Sequence, residues 1–228
     1  RFMVDNWLDV FDAYDEDASA ASFFMAAEAA AAPMIEVSTE LPKRFRRWIE
    51  TLAIGTEDRP LRKILTGGKV LNFNYTEFVE TLYGISADHI CYIHGCRKEK
   101  NGRLILGHRP EASESSYELN EKQKRRRATY RNGLIEAAQE QVFRIVSSCD
   151  QELSKDCASI LKAHEGFFHS LKGTREIVVI GHSMSQVDWD YFKAIVSELD
   201  PPHAAGWYFG CHGLDDLKNM EAPIRFLE

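Results

Sequence analysis

Three groups of polar residues follow short apolar runs in this chain, and each contains residues that can take part in chemistry. Asn72 and Asn74 end the first run, His94-Gly95 ends the second and Gly181-His182-Ser183 ends the third. A turn led by glycine leaves backbone N–H groups free for a phosphate or a ribose hydroxyl. Histidine can act as a general base near neutral pH, and asparagine offers both a donor and an acceptor. These residue types predict a nucleotide site.

The apolar runs are expected to be strands, and each polar group is expected at the carboxyl end of one. Strands are predicted at 69–73, 89–93, 177–180 and 206–211. The β-branched run at 177–180 stops at Gly181, and Ser185 with Asp188 predicts the start of the next helix. Because parallel strands end at a common edge of their sheet, the three groups are expected to lie side by side.

Strands that alternate with helices predict an α/β fold with a mainly parallel sheet flanked by helices. Residues 1–66 are expected to form an N-terminal helical segment, and residues 67–228 the α/β core. Within the core we predict a hairpin near 96–107 and a helical insertion at 113–173. The Ala-rich segment 18–32 is predicted to be a helix that ends at Pro33.

Composition excludes several classes of protein. The chain has 228 residues and a net charge of -7, which argues against a generic nucleic-acid binder. Five cysteines without a CxxC pair favour reduced thiols in a cytoplasmic protein over disulfides, and no metal site is predicted. No stretch is apolar enough to cross a membrane. The first residue is Arg1 rather than Met, which leaves an upstream segment and a signal peptide open.

A second chemistry fits the third polar group. The run Gly181 to Ser185 resembles the nucleophile elbow of serine hydrolases, with Ser183 as the nucleophile and with Ser185 in place of the final glycine. An acid and a histidine must then follow later in the chain. The candidates are Asp200 with His203 or His212. A serine esterase of the α/β-hydrolase type is therefore the alternative.

In order and spacing, the polar groups resemble the motifs of the AbiH family, bacterial proteins associated with abortive infection of phage. The matching segments are Phe45–Trp48, Phe73-Asn74-Tyr75-Thr76, Tyr83-Gly84, Ile93-His94-Gly95, Leu104–His108, and Gly181-His182-Ser183 with Asp188. The resemblance covers roughly residues 40–228. It implies a cytoplasmic protein of phage defence that acts as a homo-oligomer, without a membrane or nucleic-acid partner.

The same motifs are similar to those of the wider sirtuin-like superfamily, which binds and cleaves NAD in a Rossmann-like fold. This similarity implies that Asn74 and His94 are catalytic, with His94 accepting a proton from a ribose hydroxyl or a water that Asn74 orients. The implied cofactor-binding residues are Asn72, Tyr75, Thr76, Gly95, Gly181, His182, Ser183 and Asp188. The implied substrate is NAD or a related nucleotide, cleaved without a metal at the nicotinamide–ribose bond. A non-catalytic nucleotide-sensing or assembly module remains a third class.

Overall fold

The computed structural model describes residues 20–55, 67–107, 130–200, 205–210 and 225. The chain divides into two compact units, one of Arg1–Phe45 with Pro110–Ser154 and one of Arg46–Arg109 with Lys155–Glu228. The sequence-based boundary between residues 66 and 67, the hairpin and the insertion stay predictions.

Ten helices and strands are described, together with 3-10 turns at Ala87–His89 and Gln186–Asp188. In chain order they are α1 (Ala20–Thr51), β1 (Val70–Asn72), α2 (Phe78–Tyr83), β2 (Ile90–Tyr92), α3 (Tyr130–Glu152), α4 (Cys157–Ala163), α5 (Glu165–His169), β3 (Glu176–Ile180), α6 (Trp189–Glu198) and β4 (Gly206–Gly210). None of the described helices is long and apolar enough to cross a membrane.

Helix α1 corrects the prediction for the Ala-rich segment. Instead of ending at Pro33, it continues through both Pro33 and Pro42 to Thr51 as one helix of 32 residues. A proline inside a helix removes one backbone hydrogen bond. The alanines before Pro33 have the highest helix propensity of any residue, which offsets part of that loss.

The second unit contains the four described strands, in two parallel pairs. Val70 of β1 lies opposite Ile90 of β2, and Glu176 of β3 lies opposite Gly206 of β4. The mixed α/β class and the parallel pairing are therefore confirmed. Over the described residues the strands form two separate two-stranded sheets, not one.

Both strand pairs pack against one apolar core. Ile93, Tyr191 and Phe192 are almost fully buried in it, and Leu71 of β1 and Val179 of β3 pack against it. Helices α4, α5 and α6 supply much of the rest. Since β1 and β3 share this core, the loops after both strands are held in the same region.

Candidate functional site

The loop after β1 is shaped by the buried side chain of Asn72. Its Oδ1 accepts a hydrogen bond from the Asn74 N–H at 2.9 Å, and its Nδ2 donates to the Thr76 carbonyl at 3.4 Å. Asn72 and Thr76 are therefore buried and used inside the loop, whereas Asn74 is exposed at its tip. Tyr75 is anchored separately, because its hydroxyl donates to the Ile105 carbonyl at 2.9 Å.

Gly95 allows the chain to turn back beneath His94. Its φ is +85°, and a Cβ there would lie 2.4 Å from the Arg103 carbonyl oxygen, so only glycine fits. The returning segment is then fixed by a hydrogen bond of 2.9 Å from the Ile105 N–H to the His94 carbonyl.

The loop after β3 has two residues in the left-handed region, Gly181 at φ +63° and Met184 at φ +54°. A methionine in that conformation costs about 1 kcal/mol or more and must be held by its surroundings. The Met184 N–H donates to Nδ1 of His182 at 2.8 Å, and the Met184 carbonyl accepts from Nε1 of Trp189 at 2.8 Å. Ser183 lies exposed on the same loop.

Four side chains, His94, Lys155, His182 and Asp188, meet in what we call the polar cluster. Asp188 is its centre. Its Oδ1 lies 3.1 Å from Nζ of Lys155 and 3.7 Å from Nε2 of His94, and its Oδ2 lies 3.4 Å from Nε2 of His182. Solvent reaches only 4–13% of each of these side chains.

The spacing of Ser185 and Asp188 predicts a helix cap, but the Asp188 side chain does not form one. The Asp188 N–H bonds to the Ser185 carbonyl at 3.0 Å in a 3-10 turn, and neither side chain forms a capping hydrogen bond. The predicted helix start is confirmed, but the Asp188 carboxylate points into the polar cluster. A buried carboxylate is stabilised there by the Lys155 ammonium rather than by helix N–H groups.

The two histidines of the polar cluster differ in their hydrogen bonds. Nδ1 of His182 accepts from the Met184 N–H, and Nε2 of the same ring faces Asp188. Nε2 of His94 is buried and has no hydrogen-bond partner among the described residues. It is therefore the atom of His94 that a ligand or a water could still engage.

Burial and charge set the protonation of the polar cluster. Burial, together with the positive charge of Lys155, lowers the pKa of His94 to about 4. Burial alone would raise the pKa of Asp188, but hydrogen bonds from His182 and Lys155 and the Lys155 charge outweigh it and leave that pKa below its usual value. At neutral pH the polar cluster thus holds an ionised carboxylate beside a neutral imidazole.

Aromatic rings surround His94. The Tyr191 ring lies 5.6 Å from it in an edge-to-face arrangement, and the Phe73 ring lies at the same centroid distance and only 4.2 Å from the His182 ring. Phe73 and His182 also line a cleft of about 430 Å³ that extends between β1 and β3, which we call the β1–β3 cleft. His182 is therefore the residue of the polar cluster that reaches the cleft.

A family model described as bacteriophage abortive infection AbiH matches residues 3–209. The chain belongs to the AbiH family. No curated protein and no solved structure shows significant similarity to it. The family description associates this chain with abortive infection of bacteriophage.

Of the candidate site residues named from the sequence motifs, the structure brings His94, His182 and Asp188 into direct contact. Asn74 and Ser183 are exposed in the loops after β1 and β3. The structure adds Lys155, whose position just before α4 follows no recognisable motif spacing. It also adds Phe73 and Tyr191, whose aromatic side chains are typical of core residues.

The serine-hydrolase alternative gains no support in this AbiH family member. Among the described residues, no histidine bonds to the hydroxyl of Ser183, and the strained residue of the loop is Met184. Asp200 is exposed and pairs with Lys172 at 3.4 Å. His203 and His212 lie outside the described residues.

In the described part of the chain, no group of three or more His, Cys, Asp or Glu residues is placed to bind a metal ion. Four buried cysteines there are free thiols, namely Cys91, Cys96, Cys149 and Cys157. In the polar cluster, the Lys155 ammonium supplies the positive charge beside Asp188.

Proposed function

We propose that this AbiH family member acts in abortive infection by binding NAD beside the polar cluster and hydrolysing its nicotinamide–ribose bond. One observation carries this proposal. The Nε2 atom of His94 is buried, lacks a hydrogen-bond partner among the described residues and lies 3.7 Å from Oδ1 of Asp188. A buried polar atom without a partner costs free energy, and a water or a ribose hydroxyl would satisfy it.

In the proposed step, a water bound to Nε2 of His94 attacks the anomeric carbon of the ribose. The new bond joins water oxygen to that carbon, and the bond between the carbon and the nicotinamide nitrogen breaks, with its electron pair leaving on nicotinamide. The water proton passes to His94 and then to solvent. A nearby carboxylate stabilises the imidazolium formed on the way, which is the role proposed for Asp188.

The exposed parts of the two loops would hold the nucleotide. Asn74 offers an amide that can bond a ribose hydroxyl or orient the water. Gly181 and Ser183 lie in a turn at the carboxyl end of β3, the position where α/β sheets bind ligands. Three further residues would act by shaping the loops. The Tyr75 hydroxyl is anchored to Ile105, Thr76 is buried, and Gly95 is required for the turn after β2.

A non-catalytic nucleotide-sensing module, working as a homo-oligomer, is the second candidate. The observation that favours it is the burial of His94, which is only 3% exposed and packs against the rings of Phe73 and Tyr191. A substrate would reach a side chain buried to this extent only if its surroundings moved. A module that only binds NAD needs no such movement.

The test is NAD consumption by the full-length protein, followed by chromatography of nicotinamide and ADP-ribose, with and without phage lysate as trigger. His94→Gln is the critical variant and His89→Gln the matched control, because the His89 side chain is 47% exposed and lies outside the polar cluster. Turnover by wild type and His89→Gln, but not by His94→Gln, supports hydrolysis.

Calorimetric titration with NAD separates the remaining outcomes. Binding without turnover selects the sensing module. Neither binding nor turnover contradicts both candidates. Ester hydrolysis that Ser183→Ala abolishes would instead select the serine esterase.

A further inference from the structure

Lys155 is the residue of the polar cluster to which neither the sequence motifs nor the proposed reaction gives a role. Only 8% of its side chain is exposed, and its ammonium donates to Oδ1 of Asp188 at 3.1 Å. A lysine is almost never buried to this extent unless its charge is paired, and Asp188 is the described partner. The ammonium therefore acts on the polar cluster rather than on solvent.

The backbone on both sides of this ion pair is fixed. Asp156 caps α4, because its Oδ1 accepts from the Ser159 N–H at 3.0 Å. The Cys157 thiol donates to the Val187 carbonyl at 3.8 Å, which joins the start of α4 to the 3-10 turn that ends at Asp188. Two ordered segments thus hold the ammonium against the carboxylate.

One carboxylate oxygen faces both the lysine and a histidine. Oδ1 of Asp188 lies 3.1 Å from Nζ of Lys155 and 3.7 Å from Nε2 of His94. A hydrogen bond from nitrogen to oxygen spans about 2.7–3.2 Å, so Oδ1 bonds to Lys155 and not to His94. The pair with Lys155 therefore explains why Nε2 of His94 lacks a partner although a carboxylate lies next to it.

Without the ammonium, the same oxygen could bond to the histidine. A shift of about 0.5–1 Å would bring Oδ1 of Asp188 within hydrogen-bond distance of Nε2 of His94. A carboxylate at that distance favours the imidazolium, because it stabilises the charged form of the ring. An imidazolium donates from both nitrogens and has no acceptor. His94 could then accept neither a hydrogen bond nor a proton from a water or a ribose hydroxyl.

We propose that Lys155 is a positioning residue, which holds Oδ1 of Asp188 and thereby keeps Nε2 of His94 available as the acceptor for a water or a ribose hydroxyl. Its importance for turnover rests on the proposed NAD hydrolysis. Its effect on His94 does not, because that effect follows from the competition of two donors for one carboxylate oxygen.

The charges around His94 support this role. Burial is the largest cause of the lowered pKa of His94, and Lys155 is the strongest of the charges that act on the ring, ahead of Asp188 and His182. Two phenols also face the ring, and burial raises the pKa of both, so they stay uncharged at neutral pH. They belong to Tyr75 after β1 and Tyr191 of α6.

Titration of His94 in the full-length protein tests the proposal without NAD. Long-range proton–nitrogen NMR spectra record the protonation of both ring nitrogens, and the His94→Gln variant assigns their signals. In wild type the ring should stay neutral well below pH 6.5, because its pKa is lowered to about 4. In Lys155→Met the Asp188 carboxylate should bond to Nε2 and raise the pKa of His94 by about 1–3 pH units.

A double variant separates the released carboxylate from the simple loss of a positive charge. In Lys155→Met combined with Asp188→Asn both charges are gone, so burial should again hold the pKa of His94 below 6.5. An equal rise in the single and double variants overturns the proposal, as does no rise in Lys155→Met. Lys172→Met is the matched control, since Lys172 pairs with Asp200 in an exposed ion pair and should leave His94 unchanged.

Wild type alone also decides the question if Lys155→Met does not fold. A wild-type His94 that titrates at or above pH 6.5 would show that Asp188 bonds to it despite Lys155, which overturns the proposal. Turnover distinguishes this result from the proposed function. If NAD is hydrolysed, the pH below which kcat falls should rise in Lys155→Met together with the pKa of His94. The expected titration without turnover in any variant supports the positioning role and contradicts the hydrolysis.

Discussion

The ammonium of Lys155 lies 3.1 Å from Oδ1 of Asp188, and solvent reaches only 8% and 10% of the two side chains. This ion pair joins Lys155, two positions ahead of the start of α4, to Asp188, the residue before α6. A buried pair adds little to stability compared with an apolar pair of the same volume, but loss of one partner leaves an uncompensated charge. The pair therefore determines how the polar cluster responds to mutation.

Lys155→Met is expected to destabilise the protein by roughly 3–5 kcal/mol, because it leaves the Asp188 carboxylate buried without its cation. The free energy of unfolding from urea denaturation measures the change. Lys172→Met is the matched control, since Lys172 pairs with Asp200 at 3.4 Å but both side chains are more than 60% exposed. Exposed pairs contribute about 0–1 kcal/mol, so equal losses in the two variants would contradict the buried pair.

The second prediction concerns the stability of the folded protein at acidic pH. The pKa of His94 is about 4 in the folded protein and 6.5 ordinarily, so folding favours the neutral ring. The contribution of the neutral His94 ring to the free energy of unfolding is fully present above about pH 6.5 and is lost progressively as the pH falls towards 4. It amounts to about 3 kcal/mol. The lowered pKa of Asp188 acts in the same direction at still lower pH, because protonation weakens its bonds to Lys155 and His182.

Urea denaturation at several values between about pH 7 and pH 4 measures this loss. Other carboxylates also titrate in this range, so the informative quantity is the difference between wild type and His94→Gln, which cannot titrate. That difference should shrink as the pH falls, because only wild type loses the contribution of a neutral buried imidazole. If the difference in the free energy of unfolding between wild type and His94→Gln stays constant over this pH range, His94 is not held neutral by its environment.

Local patterns in the sequence predict the strands and the loops after them. The run at 177–180 and the stop at Gly181 correspond to β3, and Gly84 ends α2 in the left-handed conformation as a helix-terminating glycine does. These features depend on a few neighbouring residues, whose preferences are expressed in the chain itself. The same is true of His94, which follows β2 directly.

Long-range contacts explain what sequence patterns do not predict. Lys155 is separated from Asp188 by 33 positions, and no periodicity links the two residues. The spacing of Ser185 and Asp188 is that of a capping box, yet the tertiary partner Lys155 decides where the carboxylate points. Pro33 likewise predicts a helix end, but the helix-forming residues around it keep α1 continuous.

Two glycines of the candidate site provide the last prediction, because they share a left-handed backbone but differ in their surroundings. A Cβ at Gly95 would meet the Arg103 carbonyl at 2.4 Å, whereas a Cβ at Gly181 would meet no atom within 4 Å. Gly181→Ala is therefore expected to cost only the conformational term, about 1–2 kcal/mol. Gly95→Ala adds a backbone clash and should cost more than about 3 kcal/mol, measured as the free energy of unfolding.

The two variants also separate a structural role from a binding role. Gly95→Ala should displace the segment that returns beneath His94, because the bond from Ile105 to the His94 carbonyl depends on that turn. Gly181→Ala keeps the fold but places a methyl group at the carboxyl end of β3, where a phosphate or ribose would approach. If NAD binds there, Gly181→Ala should reduce the free energy of NAD binding by more than it reduces the free energy of unfolding. Unchanged affinity in Gly181→Ala would place the nucleotide elsewhere.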